Sequence, residues 1–263
     1  AAFLSALCYN VRMPDPLTTT TRSGRVATLT LNRPDARNAL SVDLLESLNK
    51  RLNEIESDSQ SLSVLILTGA GKSFCAGMDL KAVLGDNALA SDLLTRLALL
   101  TLRIRRLPIV TIARVNGAAI GGGCGLACVC DVAVTHADSK MGFPEVDLGV
   151  CPAVVAPWLV RKIGPGAARR VLLLGGLMSG SEAAALGIVN RCVPTLETLD
   201  EAVSGLAARI AQGGPRAIAA TKDLLNELDG SLDESLLRRA AGLSASVLAT
   251  PDAQERLRNR LGA

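Results

Sequence analysis

Apolar and polar residues alternate from Gly24 to Leu31 (GRVATLTL), the period of a half-buried strand, and Asn32-Arg33-Pro34 closes it. Leu44, Leu45, Leu48, Leu52 and Ile55 then recur at helical spacing behind Ser41, a hydroxyl suited to cap a helix N-terminus. Ser63 to Thr68 (SVLILT) predicts a buried strand. A loop at Gly69–Lys72 follows, then the small-residue turn FCAGMDL with no regular structure expected. A second helical stripe covers residues 88–106, Pro108 breaks it, and Ile109 to Val115 is the next strand. Asn116-Gly117 reads as a turn, Gly121-Gly122-Gly123 opens a short helix of small residues from Cys124 to Cys130, and Asp131 to Thr135 is another strand. This alternation of strands and helices predicts an α/β core.

Beyond Pro152 the pattern is almost wholly helical: Val154–Ile163, Pro165–Leu174 and Ser181–Leu186, a short strand at Ile188–Val193, then helices at Glu197–Ala211, Pro215–Leu228, Leu232–Leu248 and after Pro251. The expected organisation is a flexible lead over residues 1–23, a core over 24–194 and a C-terminal helical region over 195–263. The lead is set apart because Met13 to Thr21 is rich in Pro and Thr and reads as a linker, and the apolar opening is too short to span a bilayer.

Composition narrows the function. With 263 residues, 49% of them hydrophobic and 20% charged, the chain can bury a full core. Aromatics are only 2%, so Ala, Leu, Val and Gly must fill that core, and stacking platforms for single-stranded nucleic acid are excluded. A net charge of +3 is too small to imply a nucleic-acid or membrane partner. The seven cysteines, an odd number set among apolar residues, suggest reduced thiols and a cytoplasmic location. Cys124, Cys128 and Cys130 form the one close cluster; with a single histidine, His136, they read as small packing residues and no metal is expected.

The candidate chemistry sits between Val115 and Glu145. A helix starting at the three glycines presents unpaired N–H groups and the positive end of its dipole, to which a ligand can come close. A second glycine-containing turn, Cys75-Ala76-Gly77, follows another buried strand, so two sets of donors could converge on one oxyanion. Glu145, after the apolar segment Met141 to Pro144, is the expected general acid or base with a raised pKa. The glycines do not have the spacing of a dinucleotide or phosphate loop. Ser179 reads as a helix cap, which leaves His136 as the lone candidate base for a hydrolase.

Four segments in order, NRPDARNAL (Asn32–Leu40), GAGKSFCAGMDL (Gly69–Leu80), VNGAAIGGGCGLACVCDVAV (Val115–Val134) and FPEVDLGVCP (Phe143–Pro152), resemble the crotonase, or enoyl-CoA hydratase/isomerase, superfamily. LMSGSEAAALGIVNRCVP at Leu177–Pro194 extends the resemblance across nearly the whole chain. It implies a spiral of strand-strand-helix repeats with a C-terminal helical region that assembles trimers or hexamers. It also implies an acyl-CoA thioester as substrate, with no separate cofactor because coenzyme A is part of that substrate. On the same basis, the N–H groups of Ala76 and Gly122 would hold the thioester oxygen, with Gly121 beside them. Gly77, Met78, Asp79 and Leu80 would line the CoA path, Asp79 keeping that loop in shape, and Arg37 and Ala39 would lie near the nucleotide end.

One position departs from the resemblance. The best-known hydratases carry an acid where this chain has Gly125, and Glu145 matches their second acid. Gly125 is shared with a bacterial branch, similar in look, that hydrates branched or carboxylated substrates such as methylglutaconyl-CoA. The expectation is a 2-enoyl-CoA hydratase. An isomerase working with Glu145 alone and a non-catalytic acyl-CoA-binding protein are the alternatives. Asp147 either helps place water or caps its loop.

Overall fold

The computed structural model describes residues 15–262. Expectations for residues 1–14 lie outside the described residues. From residue 15 the lead is not a linker: β1 (Thr18–Ser23) pairs antiparallel along its whole length with β2 (Val26–Leu31). Its four threonines favour extended backbone, and at an edge no apolar alternation is needed to hold it. Thr18 is fully buried, with its hydroxyl 2.6 Å from that of Ser47. The core therefore begins before residue 24.

Behind β2 come α1 (Val42–Ser57), capped by the Ser41 hydroxyl as expected, and β3 (Val64–Gly69). Three successive circuits follow, each a strand of one sheet, a short strand of a second sheet, and helix. β3 leads into β4 (Ser73–Cys75), then α2 (Leu80–Val83) and α3 (Asn87–Arg106). β5 (Val110–Val115) leads into β6 (Ala118–Ile120) and α4 (Gly122–Val129). β7 (Val132–His136) leads into β8 (Lys140–Gly142), a 3-10 turn at Val146–Leu148 and α5 (Ala156–Leu174). The chain continues through β9 (Leu177–Ser179), α6 (Gly180–Ala185) and β10 (Arg191–Val193) to α7 (Leu196–Ala211), α8 (Pro215–Leu228), α9 (Glu234–Leu248) and α10 (Pro251–Leu261).

The first sheet has six strands in the order β1-β2-β3-β5-β7-β10, parallel except for β1 against β2. The second has four, β4-β6-β8-β9, with only the last pairing antiparallel. This is the expected α/β spiral of strand-strand-helix repeats. The sequence pattern predicts no regular structure for FCAGMDL, yet β4 and α2 occupy its two ends and β4 begins a second sheet. The two helices expected at 154–163 and 165–174 join into α5 across a non-helical Gly164, and the strand expected from Ile188 starts only at Arg191.

The corners between sheets are strapped by side chains. Asn116, at the β5–β6 corner, accepts from the Gly69 N–H at 3.1 Å and donates to Gly71 O at 3.0 Å, binding the β3–β4 corner beside it. Thr135 on β7 reaches back to Val115 O at 3.1 Å and contacts the Ser139 hydroxyl at 2.7 Å. Gly117 has no room for a side chain, since a Cβ would lie 2.1 Å from Lys72 O. Each corner thus fixes where the next short strand begins.

Alternate residues of β3 face different cores. Leu65 and Leu67 join the main cluster with α1 and α3, whereas Val64 and Ile66 pack with Leu199, Val203 and Ala207 of α7. The C-terminal helices are not a detached unit. Lys222 of α8 donates to Ile109 O at 2.9 Å and pairs with Asp131 at 2.7 Å, and α9 lies along α3. Among the described residues no helix is long and apolar enough to cross a membrane.

Candidate active site

The second sheet ends where α4 begins. Gly121, with φ 54° and ψ −119°, turns the chain from β6 into the helix and donates its own N–H to Gly142 O at 2.8 Å. Gly122 is the first helical residue, so its N–H has no partner within the helix. The β4 loop approaches closely: Gly122 N lies 3.5 Å from where a Cβ on Gly77 would stand, and that Cβ would meet Ile120 O at 2.6 Å. Only glycine at 77, with φ 85°, permits this approach.

The expected donor Ala76 is corrected by the geometry. Its N–H is engaged with Arg37 O at 3.0 Å. On the same segment Leu40 N donates to Gly77 O at 2.8 Å and Asp79 N to Leu40 O at 3.0 Å, a parallel bridge that turns the intervening Met78 N–H away from Leu40. Among the described residues Met78 N makes no hydrogen bond. The free donors are therefore those of Met78 and Gly122. No pattern along the segment separates the two, because Ala76 and Met78 stand two residues apart and an extended chain would point both N–H groups the same way.

The bridge also brings Arg37 and Ala39 beside Met78, Asp79 and Leu80. Arg37 has φ 53°, and its exposed side chain makes no ion pair among the described residues. Asp79 pairs with Arg33 at 3.3 Å, and Arg33 donates to Ala39 O at 2.6 Å. Asp79 thus shapes its loop through Arg33, whose place in the NRP turn carries no sequence signal for this role.

A cavity of about 100 Å³ opens at the two free donors, lined by Met78, Ile120, Gly122, Leu94, Leu97 of α3 and Ser244 of α9 among others. Glu145 also lines it. Its carboxyl packs on the helix start, with Oε1 2.8 Å from the place of a Cβ on Gly121. Oε2 is buried with no hydrogen-bond partner among the described residues. Burial pushes this carboxyl up to about 7, with the Asp147 charge adding to the effect and a backbone hydrogen bond opposing it. Asp147 is engaged elsewhere: it accepts from Gly176 N at 2.8 Å and caps the turn between α5 and β9.

The other nucleophilic or basic candidates lie outside this cavity. His136 is buried at the end of β7 beside Val193, and Ser179 is the N-cap of α6 in a capping box with Glu182. Cys124, Cys128 and Cys130 are packed on α4, and burial pushes Cys130 up to about 12, the behaviour of an inert packing thiol. Gly125 lies one turn along α4 from Gly121, and a Cβ there would meet Val155 Cγ1 at 2.4 Å.

Two unpartnered N–H donors and one buried, protonatable carboxyl thus line the same cavity, an arrangement suited to stabilising an enolate-like oxyanion next to a proton shuttle. The chain belongs to the enoyl-CoA hydratase/isomerase family, whose sequence profile matches residues 21–257. It is 36% identical to the short-chain-enoyl-CoA hydratase of Clostridium acetobutylicum, over 78% of this chain and 79% of that protein. It is 35% identical to the 2,3-dehydroadipyl-CoA hydratase of Escherichia coli, over 89% and 91%. Among solved structures, an enoyl-CoA hydratase from Mycobacterium avium superposes with a TM-score of 0.85 at 30% identity, covering 94% of this chain and 97% of that one.

Proposed function

We propose that the protein hydrates 2-enoyl-CoA thioesters. The observation that carries this is the buried, unpartnered Oε2 of Glu145 in the cavity onto which the N–H groups of Met78 and Gly122 open. In the proposed reaction the thioester oxygen lies against those two donors. Ionised Glu145 takes a proton from water as the water oxygen bonds to C3, and the double-bond electrons move onto the thioester oxygen. The enolate then collapses as Glu145 returns the proton to C2. Arg37, exposed beside the Met78 loop, would meet a phosphate of the CoA, and Asp79 acts through Arg33 on the loop between them.

The cavity lining favours compact, uncharged acyl groups. Among the described residues its lining contains no Lys, Arg or His, so a carboxylate on the acyl tail would be buried without a cation. This weighs against the carboxylated substrates of the branch that Gly125 suggested. Isomerisation of 3-enoyl-CoA is the second reading, favoured by the presence of one carboxyl in the cavity. A purely binding role would give no reason to retain a buried carboxyl near pH 7. Assembly into trimers or hexamers is part of the reading, supported by exposed Leu173, Leu174 and Leu243 on α5 and α9.

The test is a panel of 2-enoyl- and 3-enoyl-CoAs in isotopically labelled water, followed by mass, with Glu145→Gln alongside. Label gained as a hydroxyl and lost in the variant is the expected result. Double-bond migration without label would favour the isomerase, and binding without turnover would remove the enzymatic reading.

A further inference from the structure

Ser244 is the second hydrogen-bonding side chain of the cavity. Among the described residues the rest of the lining, Glu145 aside, is apolar side chains, glycines and the weakly polar sulfurs of Met78 and Cys151. Ser244 comes from α9 and is only 1% exposed. A serine inside a helix commonly returns its hydroxyl to the turn before it. This one crosses to the segment that follows Glu145, donating to Cys151 O at 2.8 Å and accepting from Ala153 N at 3.2 Å.

These two bonds do not exhaust the hydroxyl. It has one hydrogen and two lone pairs, so one lone pair of Ser244 has no partner among the described residues. Hydration creates a use for it. A water that gives one hydrogen to Glu145 carries the other into an apolar cavity, where an unmade hydrogen bond is costly. The carbonyls after Pro144 are already engaged: Glu145 O accepts from Leu148 N and Val150 N at 3.0 and 2.8 Å, and Pro152 O accepts from Val155 N and Ala156 N at 3.2 and 3.0 Å. Cys151 O accepts from Ser244 itself. The free N–H groups of Met78 and Gly122 can donate but not accept.

We propose that Ser244 is a catalytic residue whose hydroxyl oxygen accepts the second hydrogen of the attacking water, holding that water for addition to C3. This rests on the hydratase reading above. In the step, one O–H bond of the water breaks and its proton passes to Glu145, while the oxygen bonds to C3 and the double-bond electrons move onto the thioester oxygen. The other O–H bond stays intact. It becomes the hydroxyl of the product and still donates to Ser244. Ser244 therefore acts only where water adds to carbon. Moving a proton at C2 needs Glu145 and the two N–H donors alone.

The experiment compares wild type, Ser244→Ala, Ser244→Cys and Glu145→Gln. It reads hydration of 2-enoyl-CoAs, exchange of the C2 hydrogen of the matching saturated acyl-CoAs in deuterated water, and thermal midpoint. Exchange uses the same carboxyl and donors but adds no water to carbon. Ser244→Ala is expected to lower the ratio of hydration to exchange about two- to tenfold, the share of one neutral hydrogen bond. Ser244→Cys, which keeps the shape with a weaker acceptor, is expected to lower the same ratio should the alanine variant fail to fold. Glu145→Gln should lose both reactions. The alanine variant also loses its ties to Cys151 and Ala153, so its midpoint should fall; a role confined to that anchoring would slow both reactions together. Equal losses of hydration and exchange, or no loss of either, would overturn the contact with water and leave the hydratase reading standing. A wild type that hydrates no 2-enoyl-CoA would refute the hydratase reading, and the part of Ser244 with it.

Discussion

The two sheets contrast in length, composition and task. β3 of the first sheet is six residues, VLILTG, buried at every position, with its backbone groups paired on both sides by β2 and β5. β4 and β6 of the second are three residues each, SFC and AAI, and both run straight into glycine turns. A long, fully paired strand gives stability but has no N–H to offer a ligand. A short strand that stops at a glycine leaves the next N–H group unpaired, here at Met78 and Gly122, which line one cavity. The first sheet therefore stabilises the fold and the second presents its chemistry, with Asn116 fixing one against the other.

The sharpest way to break this contrast is to change one residue in each region. Glu145→Gln removes the proton shuttle while keeping its shape, and kcat is expected to fall by about 10² to 10⁴ with little loss of thermal stability. Leu67→Ala, in the first sheet and 3% exposed, should do the reverse, costing about 2–5 kcal/mol in denaturant unfolding with kcat per folded molecule unchanged. If both variants lost stability and rate together, the division of labour would be wrong.

Proton linkage at Glu145 sharpens it further. Its pKa rises from 4.5 to about 7 on folding, so the unfolded chain ionises first as pH increases. The native state is then favoured below about pH 4.5, and that contribution is lost as pH rises to about 7. A shift of about 2.5 units corresponds to about 3 kcal/mol. Glu145→Gln should flatten this part of the stability-against-pH curve and be the more stable protein at pH 8. The rate should rise with pH through about 7, because the proposed base must be ionised, and the variant should lack that limb.

The smallest expected effect is at the loop tie. Asp79→Asn weakens a partly exposed pair with Arg33, worth about 0.5–1 kcal/mol, and should raise KM for the CoA ester about two- to fivefold with kcat nearly unchanged. An equal fall in kcat would mean that the tie positions Met78 in the reaction itself.

Much of the first sheet and the helices was legible because their patterns are long: α1 and α3 carry clear apolar stripes, and Ser41 caps α1 as its position implied. The second sheet was not, since three residues make no period and its glycines and cysteines carry weak strand preference. β1 is silent in the sequence for a different reason, as threonines at a sheet edge show no apolar alternation. At the site, Glu145 was found from its apolar neighbours, and the geometry agrees with a raised pKa. The motif points to Ala76 and not to Met78 because it gives residues but not the direction of their N–H groups.

By itself the sequence determined the order of the longer strands and helices, the glycine turn that starts α4, and the presence of one acid in an apolar segment. These are local properties, set by spacing and by the backbone freedom of a few residues. Tertiary structure alone decided that Met78 N–H is free while Ala76 N–H is bound, that Asp147 accepts from Gly176 N–H, and that Val155 fills the place beside Gly125. Each depends on segments distant in the chain meeting within a few ångströms, and no pattern along one segment records which atom it will meet.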